Sequence, residues 1–264
     1  MIEMQPDDWQ ACHSRRGGAR HFGKPGGTLV SVVTVVYNAV HVFEGALRSI
    51  VDQHSACAEY IVIDGDSTDG TVEFLERYDD RIDLWISEPD SGIYHAMNKA
   101  LDTARGDWLI FIGADDRLLV QIDSIVERLR DPDTVYYGNV QIEETGAVSG
   151  GRFSRYRMMQ ENICHQAVFY PRSVYSRKRY DTSIGPLADH CYNIELRGAG
   201  VPFVHIPEVV ARFSQNGISS VKDARFEEIK LAAIRRSFGL TLYLLKRLRT
   251  TLVHLLKPRR HVTS

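Results

Sequence analysis

A chain of 264 residues that is 44% apolar and 25% charged has ordinary globular usage and enough material for a sizeable core in one large domain. No run reaches the roughly 18–20 uninterrupted apolar residues of a membrane span, and the polar opening stretch lacks the apolar core of a secretory signal. Cys12, Cys57, Cys164 and Cys191 are too widely spaced for a CxxC pair or a small disulfide framework, so reduced thiols in a cytoplasmic protein are expected.

Residues 1–27 contain several glycines and no periodicity, and are expected to form a flexible leader. The stretch "TLVSVVTVVYN" (28–38) is Val-rich without alternation, as a parallel strand buried on both faces requires. Helical spacing follows over 42–53. A second strand, "EYIVID" (59–64), ends in the turn-forming "GDSTDG", where Thr68 or Asp69 is placed to cap a helix over 71–78. A third strand over 82–87 leads through "EPDSG" to a helix near 92–104, with Asp90 or Ser91 at its start. The fourth strand, "DWLIFIG" (107–113), runs into two adjacent carboxylates, Asp115 and Asp116. Beyond a helix near 118–130 the pattern is mixed, with strands over 134–142, 164–171 and 202–213 and a helix near 187–199.

Strands alternating with helices imply a parallel α/β sheet, whose ligand crevice lies beyond the carboxyl ends of the strands. Asn38, Asp64, Glu88 and the Asp115-Asp116 pair all fall at such ends. Neighbouring carboxylates repel, so something should compensate them, and a cation is one candidate. The alternative for the pair is a solvated turn that caps a helix.

Four strings in order, "VSVVTVVYN", "VIDGDSTDGT", "SEPDSGIYHAMNKAL" and "GDWLIFIGADD", resemble the successive motifs of family 2 glycosyltransferases, which have the GT-A nucleotide-sugar fold. The resemblance is close over 28–120 and looser through "CHQAVFYPRSVY" and "LADHCYNIELRGAGVPFVHIPEVVARF". It implies a single GT-A domain over 28–221, with 28–120 as the donor-binding half and 121–221 as the acceptor half. It also implies metal-dependent, inverting transfer from a nucleoside-diphosphate sugar to an acceptor hydroxyl. The setting would be surface polysaccharide or glycolipid biosynthesis, with Mn2+ or Mg2+ as cofactor and no nucleic-acid partner.

Residue by residue, the resemblance implies that Asp116 binds metal and that Asp115 binds metal or ribose. Gly113 stands where the family often has Asp or Asn, so both metal roles rest on the adjacent pair. Asp64 matches the carboxylate that hydrogen-bonds the base; an acceptor-only group suits the imide N–H of uracil or thymine, or the N–H groups of guanine. A turn role is its alternative, and Asp66 follows where glycine is commoner. Thr34, Tyr37 and Asn38 match positions around base and ribose, with a plain core role open for Thr34. Asp90 and Asn98 join the donor-binding set through the "SEPDSGIYHAMNKAL" helix, whose free N–H groups favour an anionic or hydroxyl-rich ligand. Asn98 is equally suited to bracing loops, and Met97 replaces an arginine common in the family, leaving Lys99 or the metal to balance the phosphates. Asp189 matches the general base that takes the acceptor's proton, although Cys191 stands where an acidic residue is common. His165 and Gln166 are candidates for contact with acceptor or diphosphate, and His165 for a further metal ligand.

The formal charge of −2 hides a split. Residues 229–264 hold nine Lys/Arg and no acid, which leaves 23 basic and 34 acidic residues before them. Apolar residues recur at near-helical spacing in that segment, so 222–264 is expected to be an amphipathic basic helical tail. A helix packed on the domain or on a partner, and a helix or helix pair lying on an anionic membrane surface, both fit. The second would make the protein peripheral on the inner face of a membrane, near a saccharide or lipid-linked saccharide acceptor. A non-catalytic nucleotide-sugar-binding protein is the rival reading, and a dinucleotide-binding fold is disfavoured because no G-x-G-x-x-G follows the first strand.

Overall fold

The computed structural model describes residues 14–19, 28–185, 188–214 and 224–256. Cys12, most of the leader and Lys257, Arg259 and Arg260 of the tail lie outside the described residues.

The Val-rich first segment forms β2 (Val30–Val36), after a short β1 (Arg15–Gly17). Then follow α1 (Val40–Val51), β3 (Ala58–Asp64), α2 (Thr71–Arg77), β4 (Leu84–Ser87), α3 (Ile93–Thr103) and β5 (Trp108–Phe111). The second half carries β6 (Arg117–Leu118), α4 (Ile122–Val126), β7 (Val135–Ile142), β8 (Val148–Ser149) and α5 (Arg155–Gln160). A 3₁₀ turn (His165–Ala167) leads into β9 (Val168–Pro171), α6 (Arg172–Tyr175), α7 (Ala188–Gly198), β10 (Phe203–Phe213) and α8 (Ala224–Leu256).

The strands described form one sheet in the order β1-β4-β3-β2-β5-β9-β7-β10-β6, with β8 on β7. β4, β3, β2 and β5 run parallel, and β9 joins β5 and β7 antiparallel. Alternate residues of β2 feed two cores, one on each face, which is why that strand shows no polar alternation. Val30, Val32 and Val36 pack with Phe43, Leu47 and Ile50 of α1 and with Leu75 of α2. Val33 packs on the other face with Ala96 and Met97 of α3, Ile194 of α7 and Phe226 and Ile234 of α8. The result is a three-layer α/β sandwich.

Several elements differ from the sequence expectation. Arg15–Gly17, expected in a flexible leader, adds antiparallel to the edge strand β4; three residues are too few to show a period. The helix expected near 118–130 is only the five residues of α4, because Arg117 and Leu118 first cross to pair with β10. Asp69 does not cap α2 as the N-cap residue, a place taken by Gly70. Instead Asp69 accepts from the N–H groups of both Val40 and Thr71, each at 3.0 Å, and so ties the starts of α1 and α2 together. The tail helix begins at 224 and is broken at Gly239, which has φ 83° and ψ 177°.

Candidate active site

The register of the parallel strands lines up Val36, Asp64 and Ser87 at their carboxyl ends. The residues just past that row form one wall of a crevice. Asn38 has φ 48°; its N–H donates to Ser67 Oγ at 2.7 Å and its Oδ1 accepts from the Thr68 N–H at 2.9 Å. It clamps the first loop to the second. Asp66 has φ 68°, a left-handed conformation that glycine adopts freely and Asp tolerates. Tyr37 is exposed at 65% and stands over this loop. A Cβ at Gly65 would lie 2.7 Å from Asp90 Oδ2 and 3.3 Å from the Tyr37 ring, so Tyr37 and Asp90 flank that glycine. Asp90 Oδ1 accepts from the Gly92 N–H at 2.7 Å, at the start of α3.

Three of the side chains expected to contact the ligand have partners within the chain. Thr34 is fully buried, and its hydroxyl accepts from Tyr60 at 3.0 Å, so it supports the core beneath the crevice. Asp64 is also fully buried. Its oxygens accept from the Ser67 N–H at 2.9 Å, from the Ser67 hydroxyl, and from the Ser87 hydroxyl at 2.7 Å. The carboxylate therefore fixes the 64–67 turn and ties it to the end of β4. Asn98 braces a loop: its amide donates to the Tyr180 carbonyl at 2.9 Å and accepts from the Tyr180 N–H at 2.8 Å. Lys99 likewise is committed, to Glu88 at 2.9 Å and to the Pro89 carbonyl at 2.8 Å.

The 3₁₀ turn that separates α5 from β9 gathers a second group of site residues. It carries His165 and Gln166 between two acids that are far apart in sequence. Asp116 is buried, and one oxygen, Oδ2, accepts both from the Gly113 N–H and from Gln166 Nε2, each at 2.9 Å. Burial pushes its carboxyl above the usual range, with the Asp115 charge adding to that, against the pull of His165 and Gln166. Asp115 beside it is exposed.

On the other side, His165 Nδ1 lies 3.7 Å from Asp189 Oδ2. Asp189 is 5% exposed, at the start of α7. Its Oδ1 accepts from Tyr94 Oη at 3.1 Å and from the His190 N–H at 2.9 Å; its Oδ2 accepts from Asn162 Nδ2 at 2.7 Å. Burial opposes ionisation here, but His165 together with these donors holds the carboxyl below its usual range. His165 responds in the opposite sense: burial lowers its pKa, and the Asp189 contact and the neighbouring acids bring it above the ordinary value. An Asp189⁻–His165⁺ pair is therefore favoured.

Asn162 is itself oriented. Tyr170 Oη donates to Asn193 Oδ1 at 2.9 Å, and Asn193 Nδ2 donates to Asn162 Oδ1 at 3.0 Å, so only the NH2 end of Asn162 is left for Asp189. Sequence reading misses Tyr94, Asn162 and Asn193. Tyr94 lies inside the quoted "SEPDSGIYHAMNKAL" string, but nothing in its spacing points to Asp189, 95 positions away. Burial, then Asp189 and Asp116, pushes the Cys164 thiol up to about 11, and burial with Glu195 and Asp189 pushes Cys191 up to about 12, which disfavours the thiolate of each.

The donor set at 115–116 suits a hard divalent cation, since a charge there would relieve the repulsion and desolvation that Asp116 carries. Among the described residues no third His, Cys, Asp or Glu joins it to complete a cluster. Gly113, the departure from the family pattern, matters for the position of Asp116. A Cβ there would lie 2.5 Å from Asp116 Oδ2 and 3.3 Å from Asp115 Oδ1. Gly113→Ala should therefore displace the carboxylate and lower turnover by roughly 10²-fold, as ångström-scale misplacement does. Its melting temperature should change little, because the clash is with a side-chain end. Measuring rate and melting curve together checks this; wild-type turnover would show that the position of Asp116 is unimportant.

In this three-layer α/β sandwich, acids from the loop after β5 and from α7 converge past the strand ends. The profile described as "Glycosyl transferase family 2" matches residues 31–191, and the chain belongs to that family. It is similar to the PGL/p-HBAD biosynthesis glycosyltransferase of Mycobacterium tuberculosis, 29% identical over 235 residues, which cover 83% of this chain and 90% of the relative. Among solved structures, S. aureus TarS superposes with a TM-score of 0.65 at 15% identity, over 84% of this chain and 43% of that one. This chain thus spans less than half of TarS. TarS residues 1–349 were solved in complex with UDP-GlcNAc, with a TM-score of 0.63 at 16% identity, over 80% and 67% of the two chains. The mannosyltransferase PcManGT from Pyrobaculum calidifontis, in complex with GDP-Man and Mn2+, has a TM-score of 0.57 at 19% identity over 91% and 84%. The fold is GT-A, as the sequence motifs imply, and the chain is a glycosyltransferase.

Proposed function

We propose that this glycosyltransferase moves a sugar, with inversion, from a nucleoside-diphosphate sugar to the hydroxyl of a saccharide or lipid-linked saccharide acceptor in cell-surface glycan assembly. The observation that carries the reading is the pair of acids held either side of the His165–Ala167 turn, one kept ionised and the other packed beside a second carboxylate. The names of the mycobacterial relative and of the solved complexes support the setting and the donor class.

In this reading the base of the donor rests on the exposed ring of Tyr37, and its ribose lies near Asp90 and Asp115. Asp115 and Asp116 would hold Mn2+ or Mg2+, which when bound would offset the growing charge of the leaving diphosphate. Asp189 accepts the proton of the acceptor hydroxyl as its oxygen attacks the anomeric carbon from the face opposite the diphosphate. His165 balances the Asp189 charge, and Asn162 with Tyr94 aims its oxygens. Gln166 holds the Asp116 carboxylate through its Nε2 at 2.9 Å.

The direct test is a thermal-shift panel of UDP-, GDP- and TDP-sugars, each with and without Mn2+. A donor at about 100 times its dissociation constant adds about 2.7 kcal/mol, so a rise of roughly 5–10 °C is expected for one base class. The rise should be larger with Mn2+. No rise with any donor would overturn the nucleotide-sugar reading.

A further inference from the structure

We propose that the second segment of α8, from Leu240 to Thr251, is a docking surface for an anionic lipid bilayer. Gly239 breaks the helix, and the segment beyond it lies across α5 rather than continuing the first. One face of that segment is seated on the protein: Leu242 and Tyr243 pack against the core, and Lys246 is buried with its ammonium on Gln160 Oε1 at 3.3 Å. The face turned away from the protein is apolar. Leu240, Leu244, Leu245 and Leu248 are between 47% and 62% exposed. At about 100° per residue, Leu240, Leu244 and Leu248 share about 80° of arc, and Leu245 widens the stripe. Arg247 and Arg249 fall on its two flanks. Their guanidinium groups reach the hydroxyls of Tyr243 at 3.2 Å and of Tyr156 at 3.0 Å. Tyr156 is itself 46% exposed at the rim.

A leucine stripe edged by arginines and tyrosines is what a helix needs to lie in a headgroup boundary, with leucines inward and guanidinium groups at the phosphates. Charge decides in favour of lipid over an apolar protein partner. Residues 229–264 contain no acid, whereas the remainder carries a net charge of −11. An anionic surface attracts the segment and repels the body, and so fixes which side faces it. Among the described residues no helix is long and apolar enough to cross a membrane. The first segment of α8 packs in the same core as α7, the helix that carries Asp189. The docking does not depend on whether the site is catalytic.

The test is co-sedimentation of the full chain with vesicles of phosphatidylcholine alone and of phosphatidylcholine with about a third phosphatidylglycerol. Each basic residue at an anionic surface is worth about fivefold in partitioning. The wild type should bind the anionic vesicles more than about tenfold better, and R247Q/R249Q should lose about 25-fold. L244E/L248E, at exposed positions, should abolish binding while keeping the wild-type melting temperature. Equal binding to both vesicle types, or binding that survives the leucine substitutions, would overturn the proposal. So would sedimentation velocity showing that the stripe instead pairs two copies of the chain, without vesicle binding.

Discussion

Asp189→Asn is expected to lower sugar transfer by roughly 10²–10⁴-fold, the range associated with a positioned general base, while donor binding persists. The carboxylate is held ionised by His165 at 3.7 Å and by donors from Tyr94, Asn162 and His190. All of these face an acceptor, so an amide at position 189 must turn one NH2 group toward a donor. Asn162 cannot flip to relieve this, because Asn193 fixes its carbonyl. The substitution should therefore also cost about 1–3 kcal/mol of stability, the usual penalty of a buried polar group left unpaired. Asn162→Ala separates the two effects, since it leaves the carboxylate in place but unaimed; a loss nearer tenfold is expected. The measurements are transfer rate, donor thermal shift and melting temperature for each variant. If Asp189→Asn lost donor binding in proportion to rate, Asp189 would be a binding residue and not the base.

The fold was readable where burial is two-sided. β2, β3 and β5 are predominantly apolar and do not alternate, because cores press on both faces, so their carboxyl ends could be placed from the sequence alone. Edges were not readable: β1 and β6 owe their place to backbone pairing of three and two residues. Within the site, adjacent acids at a strand end are visible as a pattern, but polar residues do not announce their partners. Thr34 and Asn98 stand where ligand contacts belong, yet their side chains are taken by Tyr60 and Tyr180. The chain of donors from Tyr170 through Asn193 and Asn162 to Asp189 joins residues more than twenty positions apart. Asparagine leaves no periodic trace, so only the folded chain reveals that the chain of bonds ends on the candidate base.

Asp116→Asn should remove most turnover without weakening the fold, an outcome set by how its oxygens are used. Both hydrogen bonds to the side chain, from the Gly113 N–H and from Gln166 Nε2, end on the same oxygen. An asparagine can place its carbonyl there and keep both. What it loses is the charge. Burial raises the Asp116 pKa, and a carboxyl whose folded pKa exceeds its unfolded value binds its proton more tightly in the fold. Its contribution to stability thus falls as pH rises through that window and is unfavourable at neutral pH. The neutral variant should accordingly melt at or above the wild-type temperature at pH 7. Turnover should drop by roughly 10²–10³-fold, the scale of deleting one group that stabilises developing negative charge. The Mn2+-dependent part of the donor thermal shift should vanish with it. Transfer rate, melting curve and Mn2+ titration together check the prediction. Wild-type turnover in the variant, or full wild-type activity in excess chelator, would mean that the Asp115-Asp116 pair holds no catalytic cation.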